Sequence, residues 1–216
     1  MNVIELFSSI DGEGKRQGFL TTFLRLHDCN IRCSYCDTLY SYGPESTFES
    51  MSVQAVADVI EQLENHRITV TGGEPLLQEP AIIELIDELT RRNARYDFNI
   101  ETNGTIIPSF HRDNVWFTYD YKTPSSLAED AMNLDIFKVA TPADLIKFVV
   151  GSMQDLDRMD EILKTYPTDA QIFVSPVWGN IEGATIIEYM KAHNWQNVRF
   201  QLQIHKFIWD PDAKGV

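Results

Sequence analysis

Short apolar runs alternate with amphipathic helical segments along most of this chain, and that alternation confines it to a parallel α/β architecture. Residues 20–27, Leu-Thr-Thr-Phe-Leu-Arg-Leu-His, have the period-two character of a strand. Ser52 stands where a cap would, ahead of a helix carrying Val53, Val56, Val59, Ile60 and Leu63 on one face. A short strand over 67–70 ends at Thr71-Gly-Gly, and Pro80 opens a helix to about residue 92 whose apolar side holds Ile82, Ile83, Leu85, Ile86 and Leu89. Further strands are expected over 97–101, 115–119, 145–150, 171–175 and 198–204, with helices over 153–166 and 183–193. A strand that returns beside its predecessor through a helix must pair with it in parallel. A (β/α) barrel and an open doubly wound sheet both satisfy the pattern. The 216 residues are enough for one domain, residues 1–216, with a sizeable core.

All three cysteines fall within eight residues, Cys29-Asn-Ile-Arg-Cys33-Ser-Tyr-Cys36. Three thiolates can hold three irons of a cubane cluster and leave the fourth iron without a protein ligand, free to bind a small molecule. Zinc is the simplest alternative, with His27 completing a Cys₃His set, although the two-pair spacing of zinc ribbons is missing. A disulfide with one odd thiol would need an oxidising compartment. Met1-Asn-Val-Ile-Glu has neither the basic nor the apolar region of a signal peptide, and no run of eighteen apolar residues exists to span a membrane. The expected location is the cytoplasm, away from membranes. With 32 acidic against 18 basic residues the net charge is −14, which gives no electrostatic footprint for a phosphate backbone and argues against nucleic acid as partner. A free small molecule is the expected substrate.

Thr71-Gly72-Gly73-Glu74-Pro75 lies between a strand and a helix, about 35 residues after the cysteine loop. By itself a Gly-Gly pair is a tight turn; it also lets backbone groups approach a ligand closely. The two motifs in this order resemble those of radical S-adenosylmethionine (SAM) enzymes. Other segments narrow the likeness: Ile10-Asp11-Gly12-Glu13-Gly14, Phe23-Leu-Arg25, Asp37-Thr38 directly after the third cysteine, and Gln201-Leu-Gln203-Ile-His205-Lys206. From about residue 4 to 210 this ordered set resembles the 7-carboxy-7-deazaguanine synthase family. The resemblance implies a partial (β/α) barrel of the radical SAM type, with parallel strands and outer helices, acting as a homodimer. It also implies a lyase of queuosine and 7-deazapurine synthesis that converts 6-carboxy-5,6,7,8-tetrahydropterin to 7-carboxy-7-deazaguanine and ammonia. A 5′-deoxyadenosyl radical would start that reaction by taking hydrogen from C6.

The resemblance also implies roles. Cys29, Cys33 and Cys36 would ligate a [4Fe–4S] cluster, and Thr38 would bind Mg²⁺. SAM would be contacted by Tyr35, Cys36, Asp37, Gly73, Glu74, Asn103, Tyr121, Lys122 and Ser175. The pterin would meet Ile10, Asp11, Gly12, Glu13, Arg25, Thr71 and His205, with Glu13 on its amino-pyrimidine edge and Arg25 forking onto its carboxylate. An electron donor such as flavodoxin would supply the reducing equivalent. Many family members carry Ser-Pro-Lys where this chain has Asp120-Tyr121-Lys122, and the tail 210–216 has no assigned contact. A small radical SAM activase, which installs a glycyl radical on a partner protein, would share the cysteine and Gly-Gly-Glu-Pro motifs but not Glu13, Arg25, Thr38 and His205-Lys206 together.

Overall fold

The computed structural model describes residues 1–211 and 213–216. Nine strands form one sheet: β1 (Asn2–Ile10), β2 (Leu20–Leu26), β3 (Glu49–Ser50), β4 (Arg67–Gly72), β5 (Asp97–Thr102), β6 (Val115–Tyr121), β7 (Leu145–Val150), β8 (Gln171–Pro176) and β9 (Val198–Phe200). The helices are α1 (Val53–Gln62), α2 (Glu79–Arg92), α3 (Ile136–Val139), α4 (Met153–Thr165), α5 (Gly183–Ala192) and α6 (His205–Ile208). Among the described residues no helix is long and apolar enough to cross a membrane.

Strand order decides between the two architectures that the alternation allows. From β2 to β9 the neighbours run β2-β4-β5-β6-β7-β8-β9, all parallel and strictly in chain order. A doubly wound sheet would reverse that order at a switch point; a chain that keeps winding one way curls toward a barrel. β1 and β3 extend the sheet on the β2 side with antiparallel pairing. The remaining gap is stitched by loops rather than a strand pair. Gln201 donates to the Gly14 carbonyl at 2.9 Å and accepts from its N–H at 2.7 Å, like a peptide group, and Ile204 N–H donates to Gly12 O at 3.1 Å.

Alternation within each strand separates core from cavity. Ile68 and Val70, Phe98 and Ile100, Phe117, Tyr119 and Tyr121, and Ile146, Phe148 and Val150 face outward into a continuous apolar core. Helices α1 and α2 close over it with Val56, Ala57, Ile60, Ile82, Leu85, Ile86 and Leu89, as their 3.6-residue spacing predicts. Ser52 caps α1 by accepting from Ala55 N–H at 3.1 Å. The inward positions carry Thr71, Glu101, Thr118, Asp120, Lys122 and Lys147, which line a polar interior.

Three expectations need correction. The strand expected first, over 20–27, is the second: β1 precedes it and ends at Ile10, where the Ile10–Gly14 segment begins, and its half-exposed residues show no clean alternation. The last strand stops at Phe200 instead of residue 204, because Gln201 turns inward to Gly14. His205 therefore sits on the short α6 and not on a strand.

Candidate active site

The cysteine loop begins with an abrupt change of direction. Asp28 adopts φ 78°, in the left-handed region that Asp tolerates better than most residues, and its carboxylate accepts from Cys29 N–H at 2.8 Å. Its carbonyl accepts from Glu74 N–H at 2.8 Å. A Cβ on Gly73 would stand 2.0 Å from that carbonyl oxygen and 2.8 Å from Cys29 Cβ, so only glycine lets the turn press against the cysteine loop. From the opposite wall Ser126 O accepts from Ser34 N–H at 2.9 Å and Ser125 O accepts from Ser34 Oγ at 2.6 Å. Arg32 ties the loop to itself by donating to Cys29 O and Ile31 O, both at 2.7 Å.

The loop roofs the polar interior, and Cys29, Cys33 and Cys36 line one cavity with free thiols. Burial pushes the Cys29 thiol up, and the Cys33 thiol up to about 11. Ligation to iron displaces those protons, so a cluster supplies the charge that burial withholds. Among the described residues no three His, Cys, Asp or Glu side chains form a single-ion site. His27 packs its ring 4.3 Å from Phe48 and is not among the residues lining this cavity, which removes it as a fourth zinc ligand.

Below the loop the charges are arranged in order. Lys122 pairs with Asp120 at 2.9 Å, Asp120 lies 3.7 Å from Lys147, and Lys147 lies 3.1 Å from Glu13. Burial opposes the charge on Lys122 and Lys147, but the surrounding carboxylates outweigh it and raise both ammonium groups above their ordinary range. Asp120 Oδ1 is buried without a hydrogen-bond partner, while Oδ2 faces both lysines at the cavity wall. Burial, with Glu101 as the next contributor, raises Asp11 to about 7, while hydrogen bonds from Thr21 and Thr69 work against the rise. Burial likewise raises Glu101 despite the opposing Lys147.

A sequence model described as the radical SAM superfamily matches residues 25–164. The 7-carboxy-7-deazaguanine synthase of Clostridium acetobutylicum is 37% identical over 219 residues, covering 99% of this chain and 98% of that one. The Leptospira interrogans protein of the same name is 36% identical, covering 100% and 98%. The chain belongs to the 7-carboxy-7-deazaguanine synthase family. The crystal structure of QueE from Escherichia coli matches with a TM-score of 0.69 at 25% identity, over 93% of this chain and 92% of that one, consistent with the partial barrel. As a radical SAM enzyme the chain works with a [4Fe–4S] cluster and SAM, and three free cysteines lining one cavity beside the Gly72-Gly73 turn fit both.

Most of the residues expected from sequence in this family's site meet in the cavity. Ile10, Asp11, Gly12, Glu13, Arg25, Tyr35, Asp37, Thr38, Thr71, Gly73, Asn103, Lys122 and His205 line it together with the three cysteines. Arg25 is also paired with Glu5 at 2.8 Å. Thr38 starts a short 3₁₀ turn without capping it; its Oγ1 lies 3.6 Å from Cys36 Sγ. Burial resists ionisation of Asp37, but Lys206 at 3.4 Å and Arg25 outweigh it and hold the carboxyl below its usual range. His205 enters because Gly12 has no side chain: a Cβ there would stand 1.9 Å from Nδ1.

Three expected contacts do not reach the cavity. Tyr121 lies on the outward face of β6, packs on Phe137 and Phe148, and donates its hydroxyl to Glu129 at 2.9 Å. Glu74 is fully buried and accepts from Leu76 N–H, Thr102 Oγ1 and Asn103 N–H at 2.9, 2.8 and 2.7 Å. It holds Asn103, whose Nδ2 lies 3.7 Å from Cys29 Sγ. Ser175 is buried behind Glu13 and donates to its Oε1 at 3.3 Å. Sequence reading passed over Lys147 entirely. Its signal was a lysine inside the apolar run Leu-Ile-Lys-Phe-Val-Val, which a buried parallel strand tolerates only with a partner.

Proposed function

We propose that this chain converts 6-carboxy-5,6,7,8-tetrahydropterin to 7-carboxy-7-deazaguanine with loss of ammonia, in the route to queuosine and related 7-deazapurines. Full-length similarity to 7-carboxy-7-deazaguanine synthases is the observation that carries this reading. Cys29, Cys33 and Cys36 hold the cluster. When bound, the cluster and SAM supply the 5′-deoxyadenosyl radical that starts the rearrangement.

The chain's own residues bind, orient and shield. Gly73 offers unhindered backbone to SAM, Asn103 and Lys122 flank it, and Tyr35, whose hydroxyl donates to Val149 O at 3.3 Å, walls the adenine side with Asp37. Glu13 receives paired N–H donors of the aminopyrimidine, Arg25 takes the substrate carboxylate, and Thr71, His205 and the backbone of Ile10, Asp11 and Gly12 complete the pocket. Burial lowers His205, with Glu13 opposing, which favours a neutral imidazole able both to donate and to accept. Thr38 would offer its hydroxyl oxygen to Mg²⁺, which would supply positive charge beside the substrate.

Residues 1–216 act as a single radical SAM domain in a cytoplasmic homodimer, reduced by a flavodoxin-type donor and without nucleic acid. The acidic composition supports the last point. The test is anaerobic reconstitution with SAM, dithionite, Mg²⁺ and the carboxytetrahydropterin, followed by mass detection of the deazaguanine. Product that disappears with Cys33→Ala supports the reading. 5′-Deoxyadenosine without deazaguanine would discard the substrate.

A further inference from the structure

Lys147 is the one inward-facing cation on β7, is 7% exposed, and among the described residues its ammonium hydrogen-bonds Glu13. Its Nζ donates to Glu13 Oε2 at 3.1 Å, while Ser175 Oγ donates to Oε1 at 3.3 Å. Each carboxylate oxygen of Glu13 therefore has one protein donor. A carboxylate accepts about four hydrogen bonds, so each oxygen keeps capacity for a further donor from the cavity that Glu13 lines. The backbone just beyond Glu13 is clamped independently through the two Gln201–Gly14 bonds. Among the described residues, Lys147 and Ser175 are the groups that hydrogen-bond the Glu13 carboxylate and so oppose its rotation.

We propose that Lys147 is a positioning residue: it fixes the Glu13 carboxylate in the orientation that takes two parallel N–H donors of an aminopyrimidine edge, and so sets substrate affinity and selection for that edge. This rests on the reading that Glu13 receives the pterin. Lys147 also lies 3.7 Å from Asp120 Oδ2, but that carboxylate keeps Lys122 at 2.9 Å when Lys147 is removed, whereas Glu13 loses its one cationic partner among the described residues within salt-bridge distance. The effect of removing Lys147 therefore falls on the Glu13 end of the cavity.

The test compares Lys147→Met, Lys147→Arg, Glu13→Gln and the Glu13→Gln/Lys147→Met double variant in anaerobic turnover of the carboxytetrahydropterin. Iron per chain and melting temperature are recorded for each. Lys147→Met is expected to raise KM by about tenfold or more, with kcat at saturation changed by less than about threefold. Lys147→Arg should recover most of the KM, because it restores a donor cation. In the Glu13→Gln background the same Lys147→Met change should move KM by less than about twofold, since its effect passes through Glu13. A lower kcat at unchanged KM, or an equally large KM effect without Glu13, would overturn the assignment. If Lys147→Met alone does not fold, Lys147→Gln, which keeps a hydrogen-bond donor without the charge, takes its place in both backgrounds and the same outcomes decide. No turnover by the unaltered protein overturns the substrate reading and this inference with it; turnover whose KM ignores Lys147→Met overturns this inference alone.

Discussion

Replacing Asp11 with asparagine should stabilise the protein at pH 8 and leave it nearly unchanged at pH 5. Asp11 is 2% exposed, and burial, reinforced by Glu101, moves its carboxyl from 3.8 to about 7. In the unfolded chain the group ionises near its ordinary value, so between about pH 4 and 7 the folded state binds more protons than the unfolded one. Stability contributed by this site is therefore fully present at low pH and falls as pH rises through the folded value. At about 1.4 kcal/mol per unit, complete ionisation costs on the order of 4 kcal/mol. An asparagine oxygen can still accept from Thr21, which donates to Asp11 at 2.9 Å. Among the described residues its amide N–H₂ meets only the Thr69 hydroxyl, at the long distance of 3.4 Å, which offsets about 1 kcal/mol or more. The expected net gain at pH 8 is about 2–3 kcal/mol, or roughly 5–10 °C in Tm for a chain of this size. Anaerobic thermal melts of both proteins at pH 5, 6, 7 and 8 measure it. A difference that is the same at pH 5 and pH 8 would refute the argument, because it would tie the effect to packing instead of charge.

Other perturbations test the frame around the site. Gly73→Ala places a methyl 2.0 Å from Asp28 O, so the cysteine loop must move; iron bound per chain should fall while secondary structure by circular dichroism is retained, and full iron loading would contradict the close approach. Asp144 is buried and accepts from Phe117 N–H, Thr141 N–H and Thr141 Oγ1 at 2.8, 2.7 and 2.7 Å, joining β6 to the turn before β7. Asp144→Ala should cost about 3 kcal/mol or more in urea unfolding, since it strands buried donors, and a loss below about 1 kcal/mol would contradict that account.

Much of the site was legible because its signals are local. Cys29, Cys33 and Cys36, the Gly72-Gly73 turn and the Ile10–Gly14 segment are each fixed by spacing within a few residues, which covalent geometry carries into the fold unchanged. Helix faces and caps were legible for the same reason, and Ser52 and the α2 stripe stand where periodicity puts them. Strand ends were less legible. Tyr121 and Lys122 are adjacent in sequence, yet the pleat sends one into the core and the other into the cavity. Only the length of β6 says which is which.

The amino-acid sequence by itself determined a parallel α/β chain with a three-thiol loop over strand ends, because periodicity and short spacings act between neighbours. Tertiary structure alone decided that the sheet winds one way, that Gln201 closes the gap against Gly14, and that Lys147 meets Glu13 across 134 residues of chain. It also decided that Glu74 and Ser175 serve the frame while Asp120 faces the cavity. Those outcomes depend on register between strands and on which polar groups burial forces together, and neither is encoded in the spacing of residues along one segment.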